Sequence, residues 1–167
     1  MIVRWFLYFI LYSFVGWVYE SILCSIKERK LINRGFLTGP IIPVYGVGAV
    51  ASIALLQHCT ENIFILFFIA VFLMGTIEYV TGFLLETLFH KKWWDYSNHR
   101  YNLQGRVCLQ SVLVFGAMAV CNVRFLHPIA AMTFNSIPDN LLTGAAVCFL
   151  AILTVDLFHT LKGLSKQ

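Results

Sequence analysis

Five apolar segments occupy most of this chain and constrain its fold more than any other feature. They cover about residues 2–26, 41–56, 63–89, 107–123 and 141–161. A helix of about 20 apolar residues crosses the hydrocarbon core of a bilayer, and a helix satisfies its own backbone hydrogen bonds there. The sequence therefore predicts an all-α polytopic membrane bundle of five transmembrane helices, forming a single integral membrane domain over residues 1–167.

Composition excludes a water-soluble fold. Apolar residues make up 59% of the chain and charged residues only 12%, whereas charged residues are about a quarter of a soluble domain. The first apolar segment is also too long for the core of a signal peptide. The five segments and their connections leave no room for a soluble catalytic domain.

The distribution of Lys and Arg predicts the orientation in the cell membrane. With five crossings, ten of the twelve basic residues fall on one side, and only Arg4 and Arg124 fall on the other. Basic residues near helix ends are retained in the cytoplasm. We therefore expect the N-terminus outside and the C-terminus inside. The net charge of +4 then reflects topology, and we expect no nucleic-acid binding.

The five cysteines do not predict a metal site. They form no CxxC pair and no zinc spacing, so they are typical of small apolar membrane residues. We predict no metal and no cofactor. Cys59 and Cys121 fall at the same predicted outer surface, and whether they form a disulfide stays open, because sequence does not give the geometry that a disulfide requires.

A weak internal repeat appears when the chain is shifted by 66 residues against itself. Gly16 and Glu20 fall on Gly82 and Glu86, and the match extends without a gap over 6–41 and 72–107. This pattern predicts a parallel duplication of a two-helix hairpin, with the two copies related by an axis along the membrane normal and one extra helix left over.

Carboxylates inside the apolar segments indicate a candidate site. A charge at the centre of a membrane helix costs about 2.5–3.5 kcal/mol and needs a partner or a hydrated cavity. Glu78 and Glu86 share one face of the third helix with Gly82. We expect these two carboxylates and Glu20 to converge on a cytoplasm-facing polar pocket with Arg34 and Arg106. The alternative is that Glu20 and Glu86 only brace helix ends through arginines.

Asp156 in the last segment is open to a simpler interpretation. His159, Thr160 and Lys162 follow it within about two turns and could satisfy its carboxylate locally.

The two connections predicted to face the cytoplasm are unlike ordinary charged loops. Small residues, prolines and aromatics alternate in them with single polar groups, a composition typical of re-entrant loops that line a site. An interfacial aromatic belt is the alternative for the rings, and a turn cap is the alternative for Asp95. We take Asp95 as a further pocket candidate. Other residues of these connections, with one from the second helix, are supporting candidates: Gly39, Pro40, Tyr45, Trp93, Trp94, Tyr96, Asn102 and Gly105.

Several of these strings together resemble a known family. They are Gly16-Trp17-x-x-Glu20, Arg34-Gly35-Phe36-Leu37-x-Gly39-Pro40, Glu78-Tyr79-x-Thr81-Gly82, Trp93-Trp94-Asp95-Tyr96-Ser97 and Asn102-Leu103-x-Gly105-Arg106-x-Cys108. Over about residues 1–120 the chain resembles the small bacterial multi-pass membrane proteins of the ABC-transporter type IV family. The resemblance implies a membrane protein connected with transport, and it carries over no substrate and no catalytic residue.

Three functional hypotheses follow. The leading one is a permease-like protein that binds a small polar solute or ion in the pocket, with residues 93–97 as a cover. Coupling to protons is a further expectation, because burial of a carboxylate favours its neutral form. The second is an intramembrane enzyme that acts on a lipid or lipid-linked substrate, with Glu78 or Asp95 as acid or base. The third is a membrane assembly partner or chaperone.

The absence of enzyme motifs and the position of charged residues along the helices distinguish these hypotheses only in part. The sequence has no GxxxxGK[ST] phosphate-binding loop, HExxH or GxSxG, so we lean against an enzyme and assign any ATPase to a separate subunit. Besides the lipid bilayer, the expected partners are therefore the solute and another membrane subunit or an oligomer. The nearly uncharged outer halves of the helices argue against a transporter acting alone.

Overall fold

The computed structural model describes residues 1–33 and 35–164. These residues contain six α-helices: α1 (Ile2–Glu28), α2 (Pro43–Leu56), α3 (Ile63–Phe89), α4 (Leu109–Cys121), α5 (His127–Asn135) and α6 (Asp139–Leu164). A π-helical segment, Asn122–Leu126, joins α4 to α5. The two-residue strands β1 (Asn102–Leu103) and β2 (Val107–Cys108) pair in an antiparallel hairpin. The prediction of a helical fold is confirmed.

Within the described part of the chain, four helices are long and apolar enough to cross a membrane. They are Ile2–Glu28, Ile63–Phe89, the continuous helix Leu109–Asn135 and Asp139–Leu164. The apolar helix α2 has 14 residues, which gives about 21 Å at about 1.5 Å per residue against a hydrocarbon core of about 30 Å. Helix length alone therefore assigns four crossings and leaves α2 as a shorter apolar helix.

The fourth apolar segment is longer than its sequence suggests. The sequence predicts its end at residue 123 because Arg124 follows, but the helix continues through the π-helical segment to Asn135. The Arg124 guanidinium donates to the Thr60 carbonyl and lies 3.5 Å from a Glu61 carboxylate oxygen. Because these acceptors satisfy the charge, the helix does not have to end there.

The chain divides into two compact units. Unit 1 comprises Met1–Val47 and Ala131–Gln167, and unit 2 comprises Gly48–Ala130. In unit 1, the start of α1 meets the start of α6, where Arg4 pairs with Asp139 at 2.9 Å. Further along both helices, Leu153 packs against the buried cluster that contains Ile10. Helices α1 and α6 therefore run in the same direction within unit 1.

Unit 2 is built around an antiparallel pair of helices, α3 and α4. Their shared core contains Leu66, Ala70, Met74, Ala119 and Val120. The backbones approach closely because glycines face the partner helix: a Cβ on Gly116 would lie 3.0 Å from the Val71 Cα, and one on Gly75 would lie 3.0 Å from a Val112 methyl carbon. Small residues promote helix packing in membranes in this way.

Helix α3 has a well-formed start. The Asn62 side chain accepts hydrogen bonds from the backbone N–H groups of Phe64 and Ile65, as expected for an N-cap. At its other end, His90 adopts a left-handed conformation with φ 52°. The helix therefore stops one turn after Glu86 and leads into the 90–106 connection.

The sequence left open whether Cys59 and Cys121 form a disulfide, and the structure has none between them. Cys59 and Cys121 are both free thiols.

Candidate functional site

In unit 2, Glu86 and Arg106 form an ion pair at one end of the α3/α4 hairpin. The Glu86 Oε2 atom lies 2.9 Å from Arg106 Nε and 2.8 Å from Arg106 Nη2. The guanidinium also lies over the rings of Tyr79, at 5.6 Å, and Phe83, at 5.4 Å. The side chains of Arg106 and Glu86 are 17% and 31% exposed. A charged pair is thus held between aromatic rings and remains within reach of solvent.

Gly82 lies between the two carboxylates of α3 and forms the floor of this site. A Cβ at Gly82 would lie 3.2 Å from Trp94 Cζ2 and 3.5 Å from Arg106 Cβ. The Trp94 indole N–H donates to the Arg106 carbonyl at 2.7 Å. Trp94 therefore packs over Gly82, and a side chain at position 82 would displace it.

Glu78 is the buried member of the α3 stripe, with 5% of its surface exposed. Its Oε2 atom lies 2.8 Å from the Ser111 hydroxyl. The same hydroxyl is 2.9 Å from the Cys108 carbonyl and accepts from the Cys108 N–H at the start of α4. A serine hydroxyl carries a single proton, so Glu78 and Cys108 compete for it. Sequence reasoning missed Ser111, which belongs to no motif.

Asp95 supports the connection that follows α3. Its Oδ1 atom accepts from the Ser97 hydroxyl at 2.5 Å and from the Ser97 N–H at 2.9 Å. These hydrogen bonds, the side-chain one first, lower the pKa of the exposed Asp95 carboxyl, and Lys92 adds a smaller effect. The carboxylate therefore stays ionised and acts as the cap of a turn.

Backbone bonds and one amide side chain fix the rest of this connection. The Tyr96 N–H donates to the Gly105 carbonyl at 2.7 Å. Asn102 accepts from the Gly105 N–H at 2.9 Å and donates to the His99 carbonyl at 2.7 Å. Trp93 packs edge-on against Phe89. These predicted supporting residues shape the loop that carries Trp94 and Arg106.

In unit 1, Glu20 has a defined partner from α2. The Tyr45 hydroxyl donates to Glu20 Oε1 at 2.7 Å. The Tyr45 ring lies against Gly16, where a Cβ would come within 2.8 Å of Tyr45 Cδ1. Gly16 therefore provides the space that lets the ring reach the carboxylate.

Asp156 binds the first connection rather than its own helix. Its carboxylate accepts from the Thr38 N–H at 3.2 Å and the Gly39 N–H at 3.0 Å. Thr160 also contacts Thr38. The sequence left open whether neighbours on the helix satisfy Asp156, whereas the structure places these two backbone N–H groups of the loop against it. A Cβ at Gly39, just before Pro40, would lie 2.9 Å from Asp156 Oδ2.

The predicted pocket residues fall into both units. Glu20 belongs to unit 1, whereas Glu78, Glu86 and Arg106 belong to unit 2. Arg34 lies outside the described residues. A single pocket shared by all five therefore stays a prediction, while the Glu86–Arg106 site in unit 2 is defined by direct contacts.

Long apolar helices with polar contacts at their ends define a multi-pass helical membrane protein. A profile of the family described as "Putative ABC-transporter type IV" matches residues 7–161. The chain belongs to this family, and it is a membrane protein connected with transport. Comparison with curated proteins and with solved structures gave no match.

Proposed function

We propose that this protein is permease-like and binds a small polar solute or ion at the Glu86–Arg106 site of unit 2. Residues 93–97 cover the site, which faces the cytoplasm. The chain serves as the membrane component of a larger transporter whose energy comes from a separate subunit.

The observation that carries this proposal is the partly exposed ion pair over Gly82. Arg106 and Glu86 offer one positive and one negative group side by side, and the rings of Tyr79 and Phe83 lie against the guanidinium. An anionic group of a solute can replace Glu86 on the guanidinium, which favours carboxylate or phosphate oxygens, while a cation can replace Arg106 on Glu86. Because the pair is partly exposed, this exchange requires only local movement.

Glu78 adds a second polar group about two helical turns away. It lies eight residues before Glu86 on the same face of α3 and is bonded to Ser111. Buried carboxylates in membrane helices commonly serve ion or proton pathways. Its position supports coupling between the bound solute and a proton.

The direction of helices in unit 1 supports five crossings. Because α1 and α6 run in the same direction, an odd number of crossings must separate them along the chain. The helices α2, α3 and α4–α5 together supply three. Without α2 there would be two, and α6 would run against α1. Five crossings place the ends of α1 and α3 on the same side, and the excess of Lys and Arg assigns that side to the cytoplasm.

Packing contacts inside the two units support the proposed duplication. In unit 1, Gly46 of α2 packs on α1, where a Cβ would lie 2.6 Å from the Phe9 carbonyl oxygen. A shift of 66 residues aligns Phe9 with Gly75 and Gly46 with Val112. Gly75 and Val112 are in contact in unit 2. This equivalent contact is what two copies of one ancestral hairpin would give, although Tyr45 bonds Glu20 whereas its counterpart Ser111 bonds Glu78 instead of Glu86.

The alternative of a lipid-directed enzyme used Asp95 as an acid or a base, and the structure restricts that choice. Asp95 is committed to capping the turn at Ser97, and its lowered pKa keeps it ionised. A general acid needs a proton to donate near neutral pH. Asp95 therefore does not suit the role of general acid and remains a candidate only as a base.

The experiment identifies the small molecules that co-purify with the wild-type protein and with two arginine variants, and compares the three sets. The protein is extracted gently from its native membrane, and released solutes are identified by mass spectrometry. We expect at least one polar solute to be enriched with the wild type and to be lost with Arg106→Gln. Arg124→Gln is the control, because Arg124 pairs with Glu61 at the opposite end of α3 and α4.

Two results would count against the proposal. One is a solute retained equally by Arg106→Gln and the wild type. The other is loss of the solute with both arginine variants while each remains folded, because that pattern would show a general effect of charge removal.

A further inference from the structure

In unit 1, a recess opens where α1 and α6 begin. Its volume is about 620 Å³, within the range of about 300–1,000 Å³ that is typical of small-molecule sites. The lining combines charged and hydroxyl side chains with aromatic and apolar ones. It includes Arg4, Asp139, Thr143, Trp5, Tyr8 and Leu142.

An ion pair joins the two helices at this recess and leaves groups available to a ligand. The Arg4 guanidinium donates to the Asn135 side chain and lies 2.9 Å from Asp139 Oδ1. These contacts occupy two of the five N–H groups that a guanidinium carries. Among the described residues, the Asp139 carboxylate accepts only through Oδ1, and its side chain is 85% exposed. A ligand can therefore bind both charged groups while the ion pair stays closed.

Aromatic rings form a packed wall beside the ion pair. The Trp5 ring meets the Tyr8 ring edge-on, with centroids 6.2 Å apart. On its other side, Tyr8 stacks on Phe134, with centroids 5.0 Å apart. Because Tyr8 is held between two rings, this wall is fixed, and aromatic faces of this kind attract cations.

The recess lies at the depth of the lipid headgroups. Helix α1 has 27 residues, which gives about 40 Å at about 1.5 Å per residue against a hydrocarbon core of about 30 Å. Arg4 is in the first turn of α1, Asp139 is the first residue of α6, and both helices run in the same direction. Trp and Tyr side chains are enriched at this level of a membrane. The recess is therefore open to headgroups, and its apolar residues are open to the start of the acyl chains.

We propose that this recess binds the headgroup of a phospholipid with a primary ammonium group, as in phosphatidylethanolamine. The remaining N–H groups of Arg4 donate to the phosphate, which a guanidinium binds strongly. The ammonium group donates to Asp139 Oδ2 and is attracted by the aromatic wall. A quaternary ammonium has no N–H to donate, and a headgroup with a negative charge alone is repelled by Asp139. The site thus distinguishes phosphatidylethanolamine from phosphatidylcholine and phosphatidylglycerol.

This inference concerns unit 1 alone and does not rest on the solute site in unit 2. Its outcome is therefore independent of whether a solute binds at Glu86 and Arg106.

The second exposed ion pair of the chain provides a matched control. Arg124 donates to the Thr60 carbonyl and lies 3.5 Å from Glu61, whose side chain is 99% exposed. Arg124 does not line the recess. Arg124→Gln therefore removes the same charge as Arg4→Gln from a comparable pair elsewhere in the chain.

The test measures lipid binding to the purified full chain by native mass spectrometry. Phosphatidylethanolamine, phosphatidylcholine and phosphatidylglycerol with identical acyl chains are each added to delipidated protein in detergent. We expect the wild type to bind phosphatidylethanolamine about tenfold more tightly than the other two, because only this headgroup bonds both charged groups. Arg4→Gln should weaken that binding about tenfold, Asp139→Asn should remove the preference over phosphatidylcholine, and Arg124→Gln should behave as the wild type.

Equal binding of the three lipids to the wild type would overturn the proposal. So would a preference that survives in both Arg4→Gln and Asp139→Asn, or one that Arg124→Gln loses to the same extent. Full displacement of the lipid by an equal concentration of free phosphoethanolamine would also overturn it, because the site would then take a soluble zwitterion. Thermal unfolding in detergent checks that each variant is folded, and if Arg4→Gln is not, the exposed Asp139→Asn decides.

Discussion

Gly105 shows how a single residue fixes the loop that carries the site. It has φ 71°, a conformation that glycine adopts without strain. A Cβ there would lie 2.5 Å from Ser97 Oγ and 2.6 Å from Asp95 Oδ1. Gly105 therefore lets the Asp95 turn pack against the β hairpin just before Arg106.

We expect Gly105→Ala to open the 90–106 connection. A left-handed conformation costs an L-residue about 1–2 kcal/mol, and the new methyl group also collides with the Asp95 turn. Trypsin cleavage after Arg100, followed in detergent, should become faster than in the wild type.

Gly144→Ala is the matched control for that measurement. Gly144 is in α6, and a Cβ added there would have no neighbour within 4 Å among the described residues, so alanine at this position should stabilise the helix by about 0.5–1 kcal/mol. Unchanged cleavage in Gly105→Ala would mean that the glycine is not needed for the turn.

Some residues of the site can be identified from the sequence, and others cannot. Glu78, Gly82 and Glu86 are predictable because a carboxylate in an apolar helix is conspicuous and the helical period places all three on one face. Ser111 and the loop contact of Asp156 are not, because their partners Glu78 and Gly39 are 33 and 117 residues away. A serine or an aspartate with a distant partner leaves no local signal.

Two ion pairs at opposite ends of α3 and α4 give a test at the scale of elements. The Glu86 and Arg106 side chains are partly buried, whereas Glu61 is 99% exposed. Exposed pairs contribute about 0.2–1 kcal/mol, and a partly buried pair with two nitrogen–oxygen contacts contributes more.

Double-mutant cycles on thermal unfolding in detergent measure this difference. We expect a coupling energy of about 1–3 kcal/mol between Glu86→Gln and Arg106→Gln, and a value near the lower limit of about 0.2 kcal/mol for Glu61→Gln with Arg124→Gln. Equal coupling for the two pairs would mean that the aromatic rings around Arg106 do not strengthen the ion pair.

Helix boundaries are predicted well where they depend on hydrophobicity alone. The third segment is expected at 63–89 and is Ile63–Phe89. The fourth is predicted too short, because a charge normally ends an apolar helix, although Arg124 finds acceptors at Thr60 and Glu61. The β hairpin over Asn102–Cys108 is also missed, because two-residue strands have no periodicity.

For the whole molecule, the number of crossings decides where the site faces. The length of α2 alone favours four crossings, whereas the shared direction of α1 and α6 favours five. Only five crossings put the ends of α1 and α3 on the same side. Our proposal that the Glu86–Arg106 site faces the cytoplasm therefore depends on α2 crossing the membrane despite its short length.

The most direct test is labelling of single cysteines at Glu28, Glu61 and Ser97 in the chain with its native cysteines replaced. An impermeant thiol reagent is applied to intact cells and then to opened membranes. We expect labelling of Glu61→Cys in intact cells, and labelling of Glu28→Cys and Ser97→Cys only after opening. The contrary result is labelling of Glu28→Cys and Glu61→Cys from one side and of Ser97→Cys from the other. It would show that α2 does not cross the membrane and would contradict five crossings.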